Sequence, residues 1–83
     1  MPQYRVHMIN SEFESSDEGE YPSPDAAMAA GIGAAVKVAG EAIGRGELTS
    51  AVEIRVEQGD GIIQRRILAF SVSELAVAEW GAS

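Results

Sequence analysis

Ala51-Val52-Glu53-Ile54-Arg55-Val56-Glu57-Gln58-Gly59-Asp60-Gly61-Ile62 is the stretch whose reading decides the fold. Apolar and charged side chains alternate from Val52 to Glu57, the period of a half-buried strand, with Val52, Ile54 and Val56 inward and Glu53, Arg55 and Glu57 outward. Gly59-Asp60-Gly61 tolerates the positive φ of a tight turn, so residues 51–70 read as a hairpin returning from Ile62 to Phe70. Ile63 and Ile67 share one parity and Leu68 and Phe70 the other. A bulge near Arg65 or Arg66 is therefore expected, to bury most of them.

Upstream of the hairpin, Ser23-Pro24-Asp25 opens a helix: serine caps, proline suits the first position, and aspartate complements the positive end. The helix is expected over residues 24–45, with Gly46 as its left-handed C′ residue. At 100° per residue, Met28, Ile32, Ala35, Val36, Ala39 and Ile43 form one core-facing stripe. On the other side Ala26, Ala30, Gly33, Ala34, Lys37, Glu41 and Gly44 share an arc in which only two residues are charged. A fully solvated face is normally more polar. Either the C-terminal segment covers this face or it is an interface for a second helix, such as the same helix of another subunit.

Residues 1–10 form a first strand, with Tyr4, Val6 and Met8 on one side and Arg5 and His7 on the other. Residues 11–22 then read as an acidic loop carrying Glu12, Glu14, Asp17, Glu18 and Glu20 without a base, with a short strand around Glu20 and Tyr21 before Pro22. Ser71-Val72-Ser73-Glu74 matches a capping box, so residues 72–80 are expected as a short helix. The order is β-β-α-β-β plus a short C-terminal helix. An α+β fold follows, an antiparallel sheet of three or four strands with one long helix on one face, in a single domain spanning residues 1–83.

With 83 residues there is room for one core only. Six Lys and Arg against thirteen Asp and Glu give a formal charge of −7 and a pI near 4.4, which repels phosphate backbones and anionic bilayers. No nucleic-acid partner is expected. Ala26 to Gly44 is interrupted by Lys37 and Glu41 and consists mostly of Ala and Gly, so no membrane span is expected either. The N-terminus lacks a basic region followed by an apolar one, which points to a cytoplasmic protein. The absence of cysteine excludes disulfides, thiol catalysis and cysteine metal sites.

His7 is the sole histidine and falls on the outward parity of a strand, the position of a solvated sheet residue rather than a metal ligand. There is no nucleophile-elbow pattern for a serine triad. The acidic run lacks calcium-loop spacing. Gly31-Ile32-Gly33-Ala34-Ala35-Val36 has a valine where a dinucleotide loop needs a small residue, and it lies within the helix. No catalytic residue, cofactor or metal is expected.

Several segments together resemble a known family: Met1-Pro2-Gln3-Tyr4, Asp17-Glu18-Gly19-Glu20-Tyr21-Pro22, Asp25-Ala26-Ala27, and Ile54-Arg55-Val56-Glu57 followed by a glycine turn and a strand ending in Phe70. It is a domain-of-unknown-function family of small bacterial proteins that open Met-Pro-x-Tyr or Met-Pro-x-Phe. The resemblance implies a β-β-α-β-β unit over about Tyr4 to Phe70 and carries no activity. This chain departs from it by a longer acidic loop, a glycine-rich helix and Ile67-Leu68-Ala69-Phe70, where a proline often precedes the phenylalanine. In architecture alone the chain is similar to small antitoxin domains of the HicB type, which implies partner binding only. The expected function is a non-enzymatic interaction domain that forms a homodimer through the helix. The alternatives are an antitoxin-like or regulatory module presenting the acidic loop to a basic protein, and a ligand-binding protein or enzyme with a site between subunits near His7 and the acidic loop.

Overall fold

In the computed structural model, which describes residues 1–77, the chain runs β1 (Gln3–Ile9), β2 (Glu14–Glu20), α1 (Pro24–Gly44), β3 (Thr49–Gln58), β4 (Gly61–Ser71). The four strands form one antiparallel sheet in the order β2-β1-β3-β4, and α1 packs on one face. This is the expected α+β arrangement. The alternating segment is central: Val52, Ile54 and Val56 are fully enclosed, joined by Tyr4 and Val6 of β1 and by Ala27, Met28 and Ala35 of α1.

Both ends of α1 follow the local chemistry. Ser23 accepts a hydrogen bond from the Ala26 N–H at 3.1 Å. At the other end Gly46 takes φ +98°, its N–H donates to Ile43 O and the Glu47 N–H donates to Ala42 O, which together make a Schellman cap. The β3–β4 turn uses Gly59 at φ +65°. A helix this long and apolar would span a bilayer by length and composition alone. Here its Ala and Gly face is the roof of the core.

Four expectations require correction. Residues 11–22 are not a loop with a short strand: β2 pairs along its whole length with β1, from Gln3 opposite Glu20 to Ile9 opposite Glu14. Asn10 organises the intervening turn, its Oδ1 accepting from the N–H groups of Glu12 and Phe13, both at 2.8 Å. The short helix over 72–80 is absent from its described part, residues 72–77. Ser71, its expected cap, belongs to β4, and the Val72 N–H donates to Leu48 O, so strand pairing continues into the residue expected to begin the helix. Residues 78–80 lie outside the described residues.

The bulge falls not at Arg65 or Arg66 but beside the turn. Val56 faces Gln64 while Glu57 faces Ile62, leaving Ile63 as the extra residue. Leu68 and Phe70 consequently share the helix side of β4, and Ile67 stands on the open face, 69% exposed. Finally, the buried face of α1 is Ala27, Met28, Gly31, Ala35, Ala39 and Ala42, turned by roughly 60° from the expected stripe at 100° per residue. Ile32 and Ile43 are half-buried and Val36 is 53% exposed. Close approach selects the smallest side chains: a Cβ on Gly31 would lie 2.6 Å from Ile54 Cγ2 and 2.8 Å from Val6 Cγ1.

Candidate functional site

The rotation of α1 leaves its larger aliphatic residues at the rim of the buried face, on the side of β4. There Val36, Ala39, Gly40 and Ile43 stand over Leu68 and Phe70, forming a groove of about 390 Å³ with an almost wholly apolar wall. An added Cβ at Gly40 would meet nothing within 4 Å, so the helix is bare at this point. The groove lies along the outer edge of the sheet, since β4 has a neighbour on one side only. Val72, Leu75 and Val77 beyond β4 are exposed, and the described part of the C-terminal segment does not fill the groove.

Of the residues singled out on the opposite arc, Ala30, Gly33, Lys37, Glu41 and Gly44 are exposed and Ala26 and Ala34 half-buried. They do share one side of α1. Gly33 and Gly44 have open space around them, and the described C-terminal residues do not cover this side.

The acidic residues are divided by the strand. Asp17 lies opposite Val6 on the helix side, whereas Glu14, Glu18 and Glu20 lie opposite Ile9, Arg5 and Gln3 on the open side. Glu12 stands apart in the turn. Its side of the fold is a second hollow, about 340 Å³, shared with Asn10, Phe13, Glu41, Arg45 and Glu47. Arg45 Nη2 already pairs there with Glu47 at 3.0 Å.

On the open face of the sheet charges of both signs are interleaved, and Glu18, Glu53 and Glu57 pair with arginines. Glu53 Oε2 accepts from Arg55 Nε at 2.6 Å and from Arg65 Nε at 2.9 Å, joining β3 to β4. These hydrogen bonds, first from Arg55 and then from Arg65, lower the Glu53 pKa to about 2, and Glu53 in turn raises that of Arg55. Arg5 lies between Glu18 at 3.6 Å and Glu57 at 3.9 Å. His7 Nε2 stands 3.7 Å from Glu57 Oε2 without a hydrogen-bond partner among the described residues. His7 is thus half-buried rather than solvated, with Ser16 directly opposite it on β2 and Arg55 on β3. Among the described residues no three His, Asp or Glu side chains converge to hold a metal ion.

Sequence reasoning placed Val36, Ile43, Leu68 and Phe70 in the core and so missed the groove. The available signal was the excess of aliphatic positions over what a thin sheet-and-helix layer can enclose: a second, smaller stripe of Ala and Gly competes for the buried side. Comparison with protein-family models, curated proteins and solved structures finds no match to this chain.

Proposed function

We propose that this chain is a non-enzymatic interaction domain that self-associates, with α1 contributing to the interface on its β4 flank. The observation that carries the reading is the groove of Val36, Ala39, Gly40, Ile43, Leu68 and Phe70. It is apolar, shallow and beside an open strand, the character of a surface that a protein covers rather than of a pocket that converges polar groups on a small ligand. A second copy supplies a matching apolar surface by symmetry, since a two-fold interface apposes one patch to itself.

The test is solution mass by light scattering over a hundredfold dilution. Wild type is expected at twice the 8.8 kDa chain mass at high concentration. Val36→Lys places a charge in the groove and is expected to give a monomer with unchanged circular dichroism. Ala30→Lys, on the small-residue side, is expected to leave the dimer intact. The reverse pattern would move the interface to Ala26, Ala30, Gly33, Ala34, Lys37, Glu41 and Gly44.

A second reading is favoured by β2, an edge strand that carries Glu14, Asp17, Glu18 and Glu20 and no base. Such an edge would add a basic extended segment of a partner protein. Loss of association with rising salt would support it.

A further inference from the structure

The hydrogen-bond pattern of β4 fixes which of its amides are free. The Val72 N–H donates to Leu48 O at 2.7 Å, and the register of Thr49 opposite Ser71 makes Leu48 and Val72 a directly opposed, hydrogen-bonded pair. Such pairs alternate with non-hydrogen-bonded ones along an antiparallel ladder. Gln64, Arg66, Leu68 and Phe70 therefore direct their N–H and C=O groups toward β3. Arg65, Ile67, Ala69 and Ser71 direct theirs to the outer edge, where no strand lies among the described residues. The edge carries no proline from Gly61 to Ser71, and the apolar groove runs along it.

Resting on the self-association reading above, we infer that two copies join these edges, β4 antiparallel to β4 about a two-fold axis at Leu68, into one eight-stranded sheet. Charge selects this edge over the other. Pairing β2 with its own copy would bring two strands of four carboxylates each side by side, and like charges across a strand pair are destabilising. Pairing at β4 puts the two acidic edges at opposite ends of the sheet, roughly seven strand spacings or about 34 Å apart. That is several times the screening length of about 8 Å at physiological salt.

Side-chain chemistry then selects the two-fold over a head-to-tail repeat. Joining β4 to the β2 of another copy would set Leu68 and Phe70 beside Ser15, Asp17 and Gly19, the helix-side positions of β2. About the two-fold they meet an identical apolar surface, and Val36, Gly40 and Ile43 of the two helices close over it. An axis at Arg66 would oppose two guanidinium groups. At Leu68 no like charges face each other: Arg66 lies across from the partner's Phe70 and Arg65 across from the partner's Ser71. The whole Arg65–Ser71 edge is paired.

Amide hydrogen exchange on the wild-type chain, at concentrations above and below the dissociation point, tests the pairing directly. The amides of Ile67 and Ala69 are expected to exchange at least tenfold more slowly in the dimer, while those of Leu68 and Phe70, already bonded to β3, change far less. Ala69→Pro removes an edge-facing N–H that the monomer does not use, a position where strands accept proline. It is expected to give a monomer with the sheet signature retained. A dimer whose Ile67 and Ala69 amides exchange as freely as in the dilute chain overturns the edge pairing and leaves the groove reading standing. A monomer at every concentration overturns both, and a mass ladder beyond two copies overturns the two-fold in favour of head-to-tail growth. Should Ala69→Pro fail to fold, the exchange pattern of the wild type decides alone.

Discussion

Gly31 occupies the point where α1 comes closest to the sheet, and it separates two effects that glycine combines. A methyl group there would be 2.6 Å from Ile54 Cγ2 and 2.8 Å from Val6 Cγ1, both on branched side chains fixed in the core. Glycine inside a helix costs about 1 kcal/mol relative to alanine, so Gly31→Ala gains that much propensity. Overpacking a tight core costs about 1–3 kcal/mol, and two contacts this short put the cost at the upper end. Gly31→Ala is expected to lower unfolding free energy by about 1–2 kcal/mol. Gly33, one half-turn away, has nothing within 4 Å, and Gly33→Ala is expected to raise stability by up to about 1 kcal/mol. Denaturant midpoints of the two variants check the pair. Stabilisation by both would place α1 farther from Ile54 than the structure has it.

At the scale of the elements, the hairpin of β3 and β4 is tied on its open face through one carboxylate. Glu53, bonded by Arg55 and Arg65, has a pKa of about 2 against an ordinary value of 4.5. As pH falls through this window the unfolded chain takes up its proton first. The Glu53 contribution is fully present above about 4.5 and is lost toward 2. The difference in melting temperature between wild type and Glu53→Gln is expected to shrink across that window. Constancy of the difference would show that the bonds from Arg55 and Arg65 do not persist in solution. Solvent reaches this face, so the effect is small.

The same elements show what a linear reading can recover. The alternation of β3, the glycine turn and both caps of α1 are set by residues adjacent in sequence, and all were legible. β2 was not: Glu14-Ser15-Ser16-Asp17-Glu18-Gly19-Glu20 has neither β-branched residues nor apolar alternation. It is a strand because β1 offers it a ladder. The capping box after Ser71 failed for the complementary reason, a local signal overridden by Leu48 across the sheet. The groove was hidden by weighting α1 by hydrophobicity when closeness of packing decides its rotation. That choice buries Ala27 and Ala42 and leaves Val36 at the rim.

For the whole molecule the decisive quantity is charge, −7 per copy. Two such chains repel, so association must draw on apolar contact and backbone pairing, and added salt weakens only the opposing term. Raising ionic strength from about 0.01 M to about 1 M shortens the screening length from about 30 Å to about 3 Å. With the acidic β2 edges far from a β4 interface, the repulsion relieved is modest, and so is that between Arg66 residues near the axis. Arg65 is already balanced by Glu53 within its own chain. The dimer dissociation constant is therefore expected to fall a few-fold across this range, measured by sedimentation or light scattering on dilution. An interface built on acidic β2 against basic side chains responds in the opposite sense, because screening removes the attraction that forms it. Weakening by salt would thus transfer the interaction from the groove beside β4 to the carboxylates of β2. Tightening, with the Ile67 and Ala69 amides protected, would leave the eight-stranded sheet as the arrangement that satisfies backbone, apolar surface and charge together.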